Sequence, residues 1–374
     1  MRVGILGGGQ LAQMLTQAAV SLGLDTAIYD TAPDTPASRL THHNGVGAWD
    51  DLAALRDFAA ACDVLTLENE FVRAEPLIAL ADEGVSIHPS GRTLAKIQDK
   101  LIQKQTLIAA GLPVPPFEPV ASVADAAHAG ATFGYPIVLK KRYGGYDGYG
   151  NATVLRHSEV AEAYARLSAT GAALMAESFV SFARELAVMV VRGYDGETRA
   201  YPVVETVQRN HICHIVRAPA GIPRHVAALA QEIAVRAVQA FGGVGIFGVE
   251  LFELLDGQIV LNEIAPRPHN SGHYTIEACV TSQFENLLRA VLGWPLGDVT
   301  QLRPAVMVNL LGTRAGETSA ADIAPALGVL DAHIHLYGKR EGRVGRKMGH
   351  ITALGATVAD AERIAVRAAS LCTL

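Results

Sequence analysis

The chain has 374 residues, 50% hydrophobic, 18% charged and 6% aromatic, a soluble globular composition long enough for two or three domains. Its 31 Lys and Arg against 37 Asp and Glu leave a net charge of −6, and with no basic face or tail a nucleic-acid surface is not expected. The N-terminus enters a strand at once, no apolar run approaches the roughly 20 residues of a membrane span, and Cys62, Cys213, Cys279 and Cys372 lack metal-type spacing, so a cytoplasmic protein with reduced thiols is expected.

Over residues 1–98 short apolar strands alternate with helical stretches. Strands are predicted at Arg2–Leu6, 26–29, Val64–Leu67 and 85–88, and helices over 10–22, 52–60 and 74–81. This alternation predicts a parallel sheet with crossover helices. Gly7-Gly8-Gly9-Gln10-Leu11-Ala12 fits G-x-G-x-x-G/A directly after the first strand, and Asp30 ends the second where a ribose-binding acid would sit. Read alone, this predicts an NAD-binding domain. The same glycines equally suit another phosphate at a helix N-terminus, or tight packing.

A helix begins near Asp99, and Gly111-Leu112-Pro113-Val114-Pro115-Pro116 breaks regular structure at a hinge. Strands at 137–140 and 153–155 flank Gly144-Gly145-Tyr146-Asp147-Gly148-Tyr149-Gly150, whose glycines let the backbone approach a ligand closely. Strands at 172–177, 185–192, 199–205 and 213–217 and the helix Arg224–Phe241 follow. A helix over 282–292, strands at 306–311 and Ala332–Leu336 and a helix over 359–369 complete the chain. Antiparallel pairing dominates here, so α/β architecture gives way to α+β.

Four constellations carry chemistry. Asp256-Gly257 between apolar runs signals a two-residue hairpin turn, which pairs Leu255 with Gln258 and sets Glu250 directly opposite Glu263. Like charges so placed destabilise a sheet unless neutralised, and a hard divalent cation is the natural neutraliser; a solvated pair or a shifted register is the alternative. Lys140 ends an apolar strand before the glycine loop and Lys100 opens a helix, so each needs a counter-charge that phosphate would supply. A lysine preceding a glycine hairpin is unlike a Walker A loop and suits ATP held between sheets.

Ala265-Pro266-Arg267-Pro268-His269-Asn270-Ser271-Gly272-His273 concentrates groups able to hold a small oxyanion, or forms a hydrogen-bonded structural loop. Lys339-Arg340-Glu341-Gly342-Arg343-Val344-Gly345-Arg346-Lys347 reads either as a phosphate site or as an exposed basic hairpin. His42, His43, His211 and His214 read as ordinary histidines.

Together with Gln98-Asp99-Lys100, Ser282-Gln283-Phe284-Glu285 and Met307-Val308-Asn309-Leu310-Leu311-Gly312, these motifs resemble the ATP-grasp superfamily and, within it, the N5-carboxyaminoimidazole ribonucleotide synthetase family. The resemblance implies an ATP-grasp fold with a Rossmann-like pre-ATP-grasp domain (1–98), an ATP-grasp domain (99–297, its lid about 115–180) and a small C-terminal domain (298–374). It implies a purine-biosynthesis ligase that uses ATP, Mg²⁺ and bicarbonate to carboxylate 5-aminoimidazole ribonucleotide through carboxyphosphate, and a cytoplasmic homodimer.

On that resemblance Lys100, Lys140, Gly144, Gly145, Tyr146, Asp147, Gly148, Tyr149 and Gly150 would meet ATP, with Glu177, Ser178, Phe179 and Val180 as the adenine hinge and Glu185 on the ribose. Gln208, Asn262 and Glu263 join the ATP set, and Glu250 and Glu263 would hold the metal. Arg267, His269 and Asn270 would position bicarbonate or carboxyphosphate. Gly8, Gln10, Leu11, Glu70, Tyr146, Asp147, Lys339, Arg346 and Lys347 would contact the ribonucleotide. Two residues depart from the pattern: Gln13 replaces an arginine and Gln208 a histidine. The rival readings are a ligase with another acceptor amine, an NAD-dependent oxidoreductase and a non-catalytic nucleotide-binding protein.

Overall fold

The computed structural model describes residues 1–145, 150–209 and 212–374. Tyr146, Asp147, Gly148 and Tyr149 of the glycine loop, and His211, lie outside the described residues. The N-terminal strands pair in parallel in the order His43–Val46, Asp25–Asp30, Arg2–Leu6, Val64–Leu67, Ile87–His88. Val3, Ile5, Leu6, Val64, Leu65 and Leu67 are all buried, which is why these strands read as continuous apolar runs. The strand order reverses beside Arg2–Leu6, so the loops leaving Arg2–Leu6 and Val64–Leu67 open a crevice at the carboxyl edge of the sheet. Those loops carry Gly7 to Gly9 and Glu68 to Glu70.

Two helices meet at Asp99, the first Gly91–Gln98 and the second Lys100–Ala109. Asp99, 2% exposed, caps the second by accepting the Leu101 N–H at 3.0 Å, and also accepts from Arg142 Nε at 2.9 Å and the Tyr143 hydroxyl at 2.7 Å. One carboxylate therefore ties the helix start to the glycine loop and places Lys100 at the first helical position.

The strands Phe117–Val120, Leu174–Ser178, Ile137–Lys141 and Asn151–Val154 form, in that order, an antiparallel sheet. With the helices Val123–Phe133 and Val160–Ser168 it encloses its own core of Val120, Ile137, Leu139, Val154, Val160 and Leu174. The largest sheet has nine strands. Its order is Ile259–Ala265, Gly245–Leu254, Phe182–Arg192, Val204–Arg209, Ile212–Ala218, Ala305–Leu311, Lys347–Leu354, Ala332–Leu336, with Thr198–Ala200 also pairing with Phe182–Arg192. The strands after residue 300 thus continue this sheet, and the helix Val358–Ser370 packs on them through Ala361 and Ala365. The strand predicted over 199–205 is two, because Pro202 lacks the N–H that a continuous ladder needs.

The carboxylate hairpin departs from expectation in its turn and agrees in its consequence. Its loop has three residues, Leu255 to Gly257, with the Leu254 N–H donating to Gln258 O at 2.8 Å. Gly257 adopts φ +82°, the left-handed conformation such a loop requires, and Leu255 is 81% exposed rather than opposite Gln258. The longer loop shifts the register by one, setting Leu251 opposite Leu261, and a β-bulge at Asn262 shifts it back, so Glu250 faces Glu263.

Candidate active site

A bulge sets two consecutive residues against one partner, so Asn262 and Glu263 both meet Glu250. Asn262 Nδ2 donates to Glu250 Oε2 at 3.3 Å, Lys100 Nζ is ion-paired with Glu263, and His269 Nε2 lies 3.5 Å from Glu250 Oε1. Burial, and then the Glu263 charge, pushes the Glu250 carboxyl upward. Burial pushes Glu263 the same way, but Lys100 outweighs it and holds that carboxylate ionised. Lys100 serves only one of the two facing carboxylates, a second cation would favour ionised Glu250, and two carboxylates beside a carboxamide fit a hard divalent ion. Among the described residues no group of three or more Asp, Glu, His or Cys is placed to hold a metal ion by itself.

Behind this pair, Lys104 and Lys140 each ion-pair with one oxygen of Glu177. Glu177 and Lys104 are 3% and 2% exposed. Burial would raise the Glu177 carboxyl, but the two lysines outweigh it and hold it well below the carboxylate range. Lys100, Tyr143, Gly144, Gly145, Glu250 and Glu263 line a cavity of ≈ 480 Å³.

A second cavity, ≈ 760 Å³, adjoins the first and shares Glu70, Phe71, Arg267 and His269 with it. Arg267 makes a two-pronged ion pair with Glu70, Nη2 to Oε1 at 2.9 Å, and donates from Nη1 to Pro268 O at 3.1 Å. The His269 backbone is clamped by one side chain: Gln283 Oε1 accepts its N–H and Gln283 Nε2 donates to its carbonyl, each at 2.9 Å. Beneath it lies Gly248, where a Cβ would fall 2.6 Å from the His269 Cβ, so only glycine lets the loop lie on the strand. The far wall is the basic stretch Lys339, Arg343, Arg346 and Lys347. Burial, followed by Arg346, lowers the Lys339 ammonium to about 8. Arg39 Nη1 donates to Gly338 O at 2.5 Å and Gln13 Nε2 to Leu336 O at 3.4 Å, so Gln13 helps dock this wall on the N-terminal domain.

The glycine turn after the first strand is already filled. The Gly8 N–H donates to Asp30 Oδ2 at 2.7 Å and the Leu11 N–H to Glu68 Oε1 at 3.3 Å. A Cβ on Gly9 would fall 2.3 Å from Glu68 Oε1. The helix N-terminus thus holds the protein's own carboxylate, and the acid expected on a ribose binds backbone instead; the NAD reading loses both its contacts.

Of the predicted residues, Lys100, Gly144, Gly145, Glu250 and Glu263 gather on the first cavity, and Gln10, Leu11, Asn270, Lys339, Arg346 and Lys347 on the second. Glu70, Arg267 and His269 line both. Gly8 is buried behind Gly9. Lys140, Gly150, Glu177, Ser178, Phe179, Val180, Glu185, Gln208 and Asn262 line neither cavity. Glu177 and Ser178 belong to the four-stranded sheet and Glu185, Asn262 and an exposed Gln208 to the nine-stranded one. The sequence reading missed Glu68, Lys104 and Gln283. Lys104 follows Lys100 by one helical turn, and Glu68 is the first residue after the strand Val64–Leu67, at the point where the sheet order reverses; both were findable signals.

Residues 1–98 match the ribonucleotide synthetase preATP-grasp domain, residues 105–284 the ATP-grasp domain and residues 305–364 the phosphoribosylaminoimidazole carboxylase C-terminal domain. The chain is 44% identical over 368 residues to the N5-carboxyaminoimidazole ribonucleotide synthase of Mycobacterium tuberculosis, covering 96% of this chain and 84% of that one. It is 44% identical over 369 residues to the phosphoribosylaminoimidazole carboxylase of Schizosaccharomyces pombe, covering 96% of this chain but only 66% of the yeast protein's length. The crystal structure of the Aspergillus clavatus N5-carboxyaminoimidazole synthase in complex with ADP and 5-aminoimidazole ribonucleotide superposes with a TM-score of 0.92 at 39% identity, over 99% of this chain and 98% of that one. The chain therefore belongs to the N5-carboxyaminoimidazole ribonucleotide synthetase family of ATP-grasp enzymes, ATP-dependent ligases of purine biosynthesis that form a C–N bond.

Proposed function

We propose that the two adjoining cavities divide between them the family's reaction, the ATP-dependent carboxylation of 5-aminoimidazole ribonucleotide to N5-carboxyaminoimidazole ribonucleotide. The observation that carries this reading is the shared wall of Glu70, Phe71, Arg267 and His269, which sets the two cavities side by side, so that an activated carboxyl group formed in one has only a short way to reach an amine in the other. In the first cavity, a bicarbonate oxygen attacks the γ-phosphorus of ATP, ADP leaves, and carboxyphosphate remains. Its breakdown to CO₂ and phosphate beside the exocyclic amine lets the nitrogen attack carbon and lose a proton.

Lys100 and Lys140 would be the cations for the ATP phosphates, and the glycine loop, of which Gly144, Gly145 and Gly150 are described, would be their cover. Lys100 and Lys140 are now paired with Glu263 and Glu177, and phosphate would take the place of those carboxylates. Glu250 and Glu263, with Asn262 beside them, would hold Mg²⁺, whose charge offsets that of the phosphates. Arg267, His269 and Asn270 orient the bicarbonate or carboxyphosphate oxygens, and Lys339, Arg346 and Lys347 hold the ribonucleotide phosphate. Glu177 to Val180 with Glu185 form the nucleoside side of the ATP site. A cytoplasmic homodimer is the assembly that the resemblance supports, and a monomer mass by light scattering would refute it.

Release of ADP in bicarbonate buffer tests the reading directly. Stimulation by 5-aminoimidazole ribonucleotide is expected; no stimulation by that amine overturns the acceptor, and tight binding of NAD in place of MgATP overturns the whole assignment.

A further inference from the structure

We propose that Asn309, a residue of the strand Ala305–Leu311 that lines neither cavity, is a positioning residue: it fixes the orientation of the Asn270 amide so that Asn270 presents an N–H donor to the oxyanion in the site. The inference rests on the reading of Asn270 as a group that holds bicarbonate or carboxyphosphate.

Asn309 is 3% exposed, and its Nδ2 lies 2.8 Å from the Cys213 carbonyl oxygen. A backbone carbonyl only accepts, so the atom facing it has to be the amide nitrogen. The same nitrogen donates its other hydrogen to Asn270 Oδ1 at 2.6 Å, and Asn270 Nδ2 donates back to Asn309 Oδ1 at 2.9 Å. The two carboxamides thus close a ring of reciprocal hydrogen bonds whose polarity is set from outside by Cys213. Turning either amide over would set carbonyl against carbonyl and N–H against N–H.

Cys213 belongs to the strand Ile212–Ala218, which pairs with Ala305–Leu311 through Ile215 opposite Val308 and Val216 opposite Met307. A carboxamide carries two N–H donors, and the ring uses one of those on Asn270. The second points away from Asn309, on a residue that lines the second cavity beside Arg267 and His269. The site therefore offers a guanidinium, an imidazole and an amide N–H, a donor set suited to a carbonate- or carboxylate-type oxyanion. Were the amide free to turn, its carbonyl oxygen would face that anion half of the time and repel it.

The test is steady-state ADP release by the full-length chain carrying Asn309→Leu, with Asn309→Ser as the second variant should the first fail to fold. KM is measured for bicarbonate and for ATP, alongside the thermal midpoint. The expected result is a rise of at least about tenfold in the KM for bicarbonate, the worth of one hydrogen bond to a charged group, with the KM for ATP within about twofold of the unaltered chain. An unmoved bicarbonate KM overturns the inference, as does a rise in both KM values together with a fall in the thermal midpoint, which would mark a merely structural role. Absence of bicarbonate-dependent ADP release in the unaltered chain would instead overturn the functional reading, and this inference with it.

Discussion

The two cavities share a wall and hold their charge in opposite ways. Around the first, cations stand beside carboxylates: Lys100 with Glu263, Lys104 and Lys140 with Glu177, Arg142 with Asp99. On the far wall of the second, Lys339, Arg343 and Arg346 have no carboxylate ion-pair partner among the described residues, and Lys339 is pushed down toward neutrality by burial and then by Arg346. Preformed pairs would let the proposed polyphosphate and metal exchange partners with the protein without exposing a bare buried charge. A cluster of uncancelled cations would instead be a standing field for the proposed ribonucleotide phosphate. The net charge of −6 therefore says little about either ligand, because each cavity sets its own local balance.

The sharpest way to break this contrast is to remove one member of the facing carboxylates. Glu263→Ala takes the ion-pair partner from Lys100 and the facing carboxylate from Glu250, and ATP turnover is expected to fall at least about a thousandfold; ADP release within tenfold of the unaltered chain would refute the metal assignment. Arg346→Ala would remove the charge-assisted contact proposed for the other side. It should raise the KM for 5-aminoimidazole ribonucleotide by about 10- to 100-fold and leave that for ATP in place. Equal changes in both constants would erase the division of labour between the cavities.

Lys104→Met takes one of two cations from the buried Glu177 and should cost roughly 1–3 kcal/mol of stability, less than an entirely unpaired buried carboxylate because Lys140 remains. Urea denaturation measures it, and a midpoint equal to the parent's would mean that Lys140 alone satisfies Glu177.

The smallest effect near neutrality concerns the histidines under the second cavity. His273 and His350 are 1% and 0% exposed, and His350 stacks on His335 with ring centroids 4.4 Å apart. Burial, then the neighbouring histidines, holds both well below the usual imidazole range. The unfolded chain binds protons below about pH 6.5 that the fold does not accept, so this stability is present above pH 6.5 and lost as the pH falls. The loss is at most about 1.4 kcal/mol per pH unit for each histidine. Thermal midpoints from pH 7.5 to 5.5 should decline on the acid side, and His350→Gln should make that decline shallower.

Much of the site was legible because its motifs are local. Gly144 and Gly145, the Arg267 to His273 run and Lys100 each declare themselves within a few residues and come to line the cavities, and the helix read at about Arg224 to Phe241 spans those residues. The hairpin is more instructive. Asp256-Gly257 implied the Glu250–Glu263 pairing through a two-residue turn, yet the chain reaches the same pairing through a three-residue loop and a compensating bulge at Asn262. That bulge, which no spacing rule announces, is what brings Asn262 alongside the two carboxylates. The glycines at 7 to 9 misled for a related reason: the pattern shows that the backbone needs room there, and only the fold shows that Glu68 fills it.

Element periods, cap residues and the chemical content of each loop were written in the order of the residues, because they depend on neighbours three or four positions away. The pairing of Lys104 with Glu177, the clamp of Gln283 on His269 and the ring of Asn270 with Asn309 join residues from 14 to 73 positions apart. They arise where separate strands and helices are brought together. Which buried charge meets which partner, and which way an amide faces, was decided there, since low-dielectric contacts reward proximity in space and are indifferent to distance along the chain.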